Sequence, residues 1–295
     1  MTAVPAARSS RTLSPVPAVL LAVISVQGGA AVAKELFPAL GAAGTSGLRI
    51  SLAALVLLAV FRPSIRTLTR AQWLAVIPYG VLLGGMNLSF YLALQRIPLG
   101  LCVTVEFLGP LAVAVFGSRR ASDFLWVLLA AVGIGLLVPW TRGEGALDLV
   151  GVLLALVAAA CWAAYIVTGG RVSRLFSGGQ GVAIGMTFAA LTVLPVALAG
   201  GVVSRLTPGL FAAGLAVAVL SSALPYSLEM TALRVLPSRT FGILMSLEPA
   251  VAAIAGLLFL RERLSVVQWL AVLCVSAASA GSALTAPRAP PPVEA

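Results

Sequence analysis

The sequence predicts an all-α membrane protein of ten transmembrane helices, arranged as two inverted five-helix repeats. Three observations predict it. Of 295 residues, 60% are hydrophobic and only 9% charged, with a mean hydropathy of +1.09, whereas soluble domains carry about 25% charged residues. Apolar runs near the length needed to cross a bilayer follow one another with short breaks. Short segments of the first half also recur in register in the second.

In order, the apolar runs of the first half fall at roughly 16–34, 46–61, 72–94, 98–117 and 123–140. The first follows Arg8 and Arg11, is interrupted by Gln27-Gly-Gly-Ala30 and has Lys34 at its end. The second opens near Arg49, and the third carries Gly84, Gly85, Asn87 and Tyr91. Glu106 and Pro110 mark the fourth, and Trp126 the fifth. The runs of the second half fall at roughly 149–168, 181–203, 209–233, 239–260 and 266–285. They carry Trp162 and Tyr165, then Gly181-x-x-x-Gly185, then Ser221, Ser222, Pro225, Tyr226 and Glu229. Glu248-Pro249 lies in the ninth and Trp269 in the tenth. The organisation expected is a cytoplasmic N-terminal segment at 1–15, repeats at 16–140 and 149–285, and a cytoplasmic tail at 286–295. One other reading of the start exists, a secretory signal ending in Ala31-Val32-Ala33. Its removal would leave nine helices and break the symmetry.

The symmetry rests on particular residues. Tyr91-Leu-Ala-Leu-Gln-Arg-Ile-Pro98 matches Met230-Thr-Ala-Leu-Arg-Val-Leu-Pro237, and the same register aligns Pro110 with Pro249. A basic pair and a tryptophan helix follow each proline: Arg119 and Arg120 before Trp126, Arg261 and Arg263 before Trp269. A five-helix unit has an odd number of crossings, so its second copy enters from the opposite side, as in secondary transporters.

The net charge of +10 would suggest nucleic acid in a soluble chain, but here the basic residues lie singly or in pairs between apolar runs. Arg8, Arg11, Arg62, Arg66, Arg70, Arg119, Arg120, Arg171, Arg174, Arg234, Arg239 and Arg288 fall on one side of the expected topology. Arg96, Arg142, Arg205, Arg261 and Arg263 fall on the other. The excess of basic residues on the inner face puts both termini in the cytoplasm. Nucleic acid is not an expected partner; lipid is. The three cysteines, Cys102, Cys161 and Cys274, are isolated in apolar segments and read as packing residues rather than a disulfide framework or zinc site. No histidine is present, so proton transfer would fall on carboxylates. The chain has no Walker loop, G-x-G-x-x-G, H-E-x-x-H or G-x-S-x-G motif. It is therefore read as a non-enzyme without cofactor or bound metal, whose coupling comes from an ion gradient.

Candidate chemistry concentrates where ionisable groups meet the apolar runs. Glu106, Glu229 and Glu248 each lie inside one, where a charge is unfavourable by roughly 3 kcal/mol on insertion scales. Pro110 frees the carbonyl near Glu106, and Glu248 directly precedes a proline, which disfavours helical geometry there. Tyr226 and Glu229 are three apart and share a face, as do Asn87 and Tyr91 four apart. Gln27, Arg49, Trp162 and Tyr165 complete the candidate set. An amino acid needs one site for its ammonium and another for its carboxylate; the glutamates, with Arg49 or a helix amino end, provide both. Each group has a plainer reading. A glutamate can fasten helices, Glu229 can pair with Arg234 at the cytoplasmic end, Lys34 and Arg49 can anchor helix ends, and the glycine pairs can be packing grooves.

Several of these segments resemble a known family. Pro98-Leu-Gly-Leu101, Val105-Glu106-Phe-Leu-Gly-Pro-Leu-Ala-Val-Ala114 and Ser118-Arg-Arg120 resemble the EamA-type branch of the drug/metabolite transporter superfamily. Ser25-Val-Gln-Gly-Gly-Ala30, Gly84-Gly-Met-Asn87, Ala160-Cys-Trp-Ala-Ala-Tyr-Ile166, Ala223-Leu-Pro-Tyr-Ser-Leu-Glu-Met230 and Arg239-Thr-Phe-Gly-Ile-Leu-Met-Ser-Leu-Glu-Pro-Ala250 are similar to the inner-membrane threonine and homoserine exporters. The resemblance implies a ten-helix carrier of the inner membrane that exports small neutral amino acids against protons. A carrier of another metabolite or drug, and a non-transporting membrane scaffold, are the alternatives.

Overall fold

The computed structural model describes residues 15–116, 121–137, 148–177, 179–225, 228, 232, 236 and 238–285. Every regular element among them is helical. The first half comprises α1 (Pro15–Glu35), α2 (Phe37–Phe61), α3 (Arg70–Leu94), α4 (Leu99–Glu106), α5 (Leu108–Phe116) and α6 (Ala121–Leu137). The second comprises α7 (Leu149–Leu175), α8 (Gln180–Ala199), the short α9 (Val202–Arg205), α10 (Pro208–Ala218), α11 (Ser238–Met245), α12 (Glu248–Phe259) and α13 (Val266–Thr285). Eight helical stretches among the described residues are long and apolar enough to cross a membrane. Two shorter apolar ones, Phe124–Leu137 and Pro208–Ser222, accompany them. Residues 138–140 of the fifth expected run, and Tyr226, Glu229 and Arg234 of the eighth expected run and the loop after it, lie outside the described residues.

Side-chain caps set three helix starts. Thr69 and Gln72 form a reciprocal capping box at α3: the Gln72 amide donates to the Thr69 hydroxyl and the Thr69 amide to the Gln72 side chain. Thr207 caps α10 ahead of Pro208, whose missing N–H costs nothing in the first turn. Asp148 caps α7 by accepting from the amides of Val150 (2.8 Å) and Gly151 (3.3 Å). It also accepts from Arg96 (2.8 Å), which with those amides holds the exposed carboxyl below the usual range.

The second helix begins earlier than the sequence reading placed it. Pro38 sits in the first turn of α2, and the helix runs past a kink at Gly41, whose φ of +72° is a left-handed value that glycine adopts freely. Thr45 donates to the Gly41 carbonyl (2.9 Å). Arg49, expected near a helix end, therefore lies in the middle of a 25-residue apolar helix.

The fourth and ninth expected runs each form two helices. α4 gives way to α5 at Phe107, and α11 to α12 at Ser246 and Leu247. The cause is the same in both. Pro110 cannot donate to the Glu106 carbonyl, nor Pro249 to that of Met245. Leu247 and Phe107 keep right-handed dihedrals, so each interruption is a tightened turn rather than an unwound loop. The offset that relates Pro110 to Pro249 also relates Phe107 to Ser246.

Small residues bring the helices together. α3 packs on α7 and α8, α2 on α8, α4 on α12, α5 on α7 and α6 on α13. At Gly84 a Cβ would stand 2.7 Å from the Ala189 carbonyl oxygen, and at Gly100 one would stand 2.5 Å from the Ala253 Cα. Gly80 meets the Gly185 carbonyl in the same way, which makes both sequence-predicted glycine pairs contribute to close contacts. Outside, large apolar side chains such as Leu55, Val60, Phe124, Leu258 and Val266 are exposed, whereas Ser25, Thr45, Ser46, Thr104 and Ser246 are buried. Polar groups inside and oil outside is the arrangement that lipid demands.

A cluster of side chains ties three segments at one end. Lys34 pairs with Glu262 at 2.6 Å and donates to the Ile97 carbonyl (3.2 Å), while Glu262 accepts from the Leu99 amide (2.8 Å). Lys34, read from sequence as an anchor or ligand, is thus a fastener between α1, the start of α4 and the segment after α12.

The packing gives a direct expectation. Gly84→Leu must push the Ala189 backbone away, a misfit of about 1–3 kcal/mol or more, and should lower the melting temperature of detergent-solubilised protein. Gly85→Ala places its methyl 3.6 Å from the Cys161 sulfur, an ordinary contact, and should melt with the wild type.

Candidate functional site

A cavity of about 300 Å³ lies within the bundle. Gln27 and Ala30 of α1, Arg49 of α2, Asn87 and Tyr91 of α3, and Glu106 of α4 line it. So do Trp162 and Tyr165 of α7, Met186 of α8, Ser221, Ser222 and Pro225 near α10, and Met245 and Glu248 at the second interruption. Eight of the ten sequence-predicted residues therefore share one space: Gln27, Arg49, Asn87, Tyr91, Glu106, Trp162, Tyr165 and Glu248. The other two, Tyr226 and Glu229, lie outside the described residues.

Arg49 is the pivot. It donates to the Asn87 side-chain carbonyl, and its guanidinium lies 5.1 Å from the centre of the Tyr91 ring. Asn87 is itself oriented by donating to the Leu83 carbonyl one turn back (2.8 Å). A guanidinium has five N–H donors, and here the Nε proton is buried with no hydrogen-bond partner among the described residues. The charge is held in place and still has capacity to bind.

The carboxylates come from the two helix interruptions. Glu106 is the last residue of α4 and Glu248 the first of α12. Glu248 stands in the first turn of α12, at the positive end of the helix dipole, a favourable place for an anion. Glu106 makes no hydrogen bond or ion pair among the described residues, although the field of Arg49 reaches it. Glu106, Glu248 and Arg49 keep only 8%, 7% and 8% of their surface exposed, and all three line the cavity.

Aromatic and soft side chains complete the wall. Trp162 meets Phe107, the residue at the first interruption, edge to face at 5.3 Å and 86°. Tyr165 stacks on Tyr79 at 4.7 Å with the two hydroxyls 3.0 Å apart. Two charges of opposite sign in one apolar-walled space suit a small dipolar guest rather than a simple ion.

Known proteins are similar to this chain in sequence and in fold. The EamA-like transporter family model matches residues 149–284. The threonine/homoserine exporter RhtA of Salmonella typhimurium (strain SL1344) is 48% identical over 276 residues, covering 94% of this chain and 93% of that protein. The threonine/homoserine exporter RhtA of Escherichia coli (strain K12) is 49% identical over 271 residues, covering 92% of each. The chain belongs to the EamA-like transporter family. A solved crystal structure with 18% identity superposes with a TM-score of 0.58 over 91% of this chain and 96% of that one, a likeness of fold alone.

Some lining residues of this EamA-like chain escaped the sequence reading. Met86, Met186 and Met245, three of its five methionines, border the cavity, as do Phe90 and Val103. Nothing in a single sequence separates them from packing residues, yet flexible thioethers make a wall that adapts to more than one occupant.

The coupling of Arg49 to Asn87 is testable without substrate. Asn87→Leu removes an acceptor from a buried cation, a loss of about 1.5–3 kcal/mol. A lower melting temperature in detergent is expected, with recovery in Asn87→Gln smaller than full because the longer amide misplaces its oxygen.

Proposed function

We propose that this chain is a secondary active exporter of small neutral amino acids of the threonine and homoserine kind, working by proton antiport and alternating access. The observation that carries the reading is the pairing of a buried Arg49 with Glu106 and Glu248 around one cavity, in a chain about half identical to proteins named as threonine/homoserine exporters. The substrate carboxylate goes to Arg49, whose Nε proton is unpaired among the described residues, and the ammonium to a glutamate. A proton and the substrate ammonium compete for the same carboxylate, which couples one flux to the other. Glu106, with no fixed partner among the described residues, is the proton site in this reading.

The proposed scaffold is ten crossings in two inverted repeats, 16–140 and 149–285, with both termini cytoplasmic in an inner membrane. The two short apolar helices beside the eight long ones support the number. The family match at 149–284 supports the second boundary. Helix pairing supports the symmetry, because α2 on α8 and α6 on α13 each join a helix of one half to its counterpart in the other, and α4 on α12 joins the two interrupted runs. The arginine distribution supports the orientation.

Purified protein in lipid vesicles tests the reading. Labelled L-threonine should exchange across wild-type vesicles and accumulate when a proton gradient is imposed. Glu106→Gln should abolish the proton-driven accumulation while the protein stays folded. Arg49→Ala should weaken threonine exchange roughly 10–100-fold, from a charged hydrogen bond worth about 1.5–3 kcal/mol. Threonine exchange unaltered by Arg49→Ala would remove that residue from the site.

A further inference from the structure

Two buried polar atoms on the cavity wall have no partner among the described residues and no part in holding the zwitterion in the reading above. The Gln27 side-chain oxygen and the Ser221 hydroxyl are both buried without a hydrogen bond among the described residues. Both residues line the cavity, Gln27 from α1 and Ser221 from the turn that follows α10. Neither element carries Arg49, Glu106 or Glu248. Gln27 is 97% buried, with 3% of its surface exposed, and buried polar groups are rarely left unpaired unless something else completes them.

The backbone places them deliberately. Residues Val219–Ala223 form a π-helical turn, in which the Leu224 amide reaches back five residues to the Val219 carbonyl. Such turns insert an extra residue into a helix, re-aim side chains, and concentrate at functional sites. The re-routed Leu220 carbonyl accepts from the Ser25 hydroxyl (2.7 Å), which fixes the turn against α1. Gly29 then makes room for Ser221: a Cβ there would stand 2.4 Å from its hydroxyl oxygen. Two other polar groups of the wall are already engaged, Asn87 by Arg49 and Leu83, and Tyr165 by Tyr79.

We infer that Gln27 and Ser221 form a hydroxyl-reading subsite, which selects amino acids whose side chains carry an alcohol. The inference rests on the export reading above. The relatives are named for threonine and homoserine, and both molecules add a hydroxyl to a short aliphatic side chain. Gln27 supplies a carbonyl acceptor, and the Ser221 hydroxyl donates or accepts. Two groups on different elements serve a hydroxyl on either the β or the γ carbon. An aliphatic substrate entering the same space would leave both unpaired, which is the strongest form of rejection available to a small pocket.

Counterflow of labelled L-threonine in vesicles, with unlabelled L-threonine, 2-aminobutyrate and valine as competitors, tests it. 2-Aminobutyrate is threonine without the hydroxyl; valine replaces the hydroxyl by a methyl group. Wild-type protein should prefer threonine to both by about tenfold or more. Ser221→Ala and Gln27→Met, which change little volume, should each compress that preference by about tenfold. A preference kept at the wild-type ratio in both variants overturns the subsite and leaves the export reading standing. An equal loss for all three competitors also overturns it, since that marks a structural role. Wild-type vesicles with no threonine counterflow overturn both readings together.

Discussion

A guanidinium in the middle of an apolar helix is the constraint around which this molecule is built. Arginine does not give up its proton in a protein, so Arg49 carries its charge wherever α2 takes it. At membrane depth that charge must be surrounded by acceptors, an aromatic face or a polar cavity. α3 supplies the first two through Asn87 and Tyr91. The third is the space shared with Glu106 and Glu248. An arginine that donates to Asn87 and keeps its Nε proton unpaired among the described residues has a donor left for a guest in the proposed mechanism, and Glu106 has no hydrogen bond or ion pair among those residues.

The rest of the fold makes room for that arrangement. Glycine and alanine contacts draw α3 onto α8 and α4 onto α12 until backbone meets backbone. Close approach at those seams leaves the unfilled volume where larger side chains and the two interruptions meet. Each interruption follows from a proline four residues after the carbonyl it deprives, and each sets a glutamate at a helix terminus. Chain chemistry that elsewhere would weaken a helix here delivers polar backbone and a carboxylate to the same depth.

Much of this was legible in the residues. Long apolar runs, the prolines next to Glu106 and Glu248, and the helical spacing of Asn87 and Tyr91 are local signals, and local signals survive in a single sequence. Three things were not legible. Arg49 was read near a helix end because the second apolar run was started near residue 46, although Pro38 suits a helix's first turn and a kink at Gly41 lets the helix continue. Lys34 pairs with Glu262 through a contact between residues 228 apart, which no local pattern reveals. The π-helical turn at Ser221 depends on the Ser25 and Gly29 face of α1 packed against it, again a tertiary cause. Glu229 and Tyr226, singled out on the same grounds as Glu248, lie outside the described residues.

In the proposed mechanism Arg49 and the two glutamates hold the opposite ends of one small zwitterion. A structure of the protein saturated with L-homoserine in a lipid environment tests it most directly. The substrate carboxylate is expected within hydrogen-bond distance of the Arg49 guanidinium and the ammonium against Glu106 or Glu248. Density for the amino acid elsewhere in the bundle, or bound in the reverse orientation with Arg49 still held only by Asn87 and Tyr91, would contradict it.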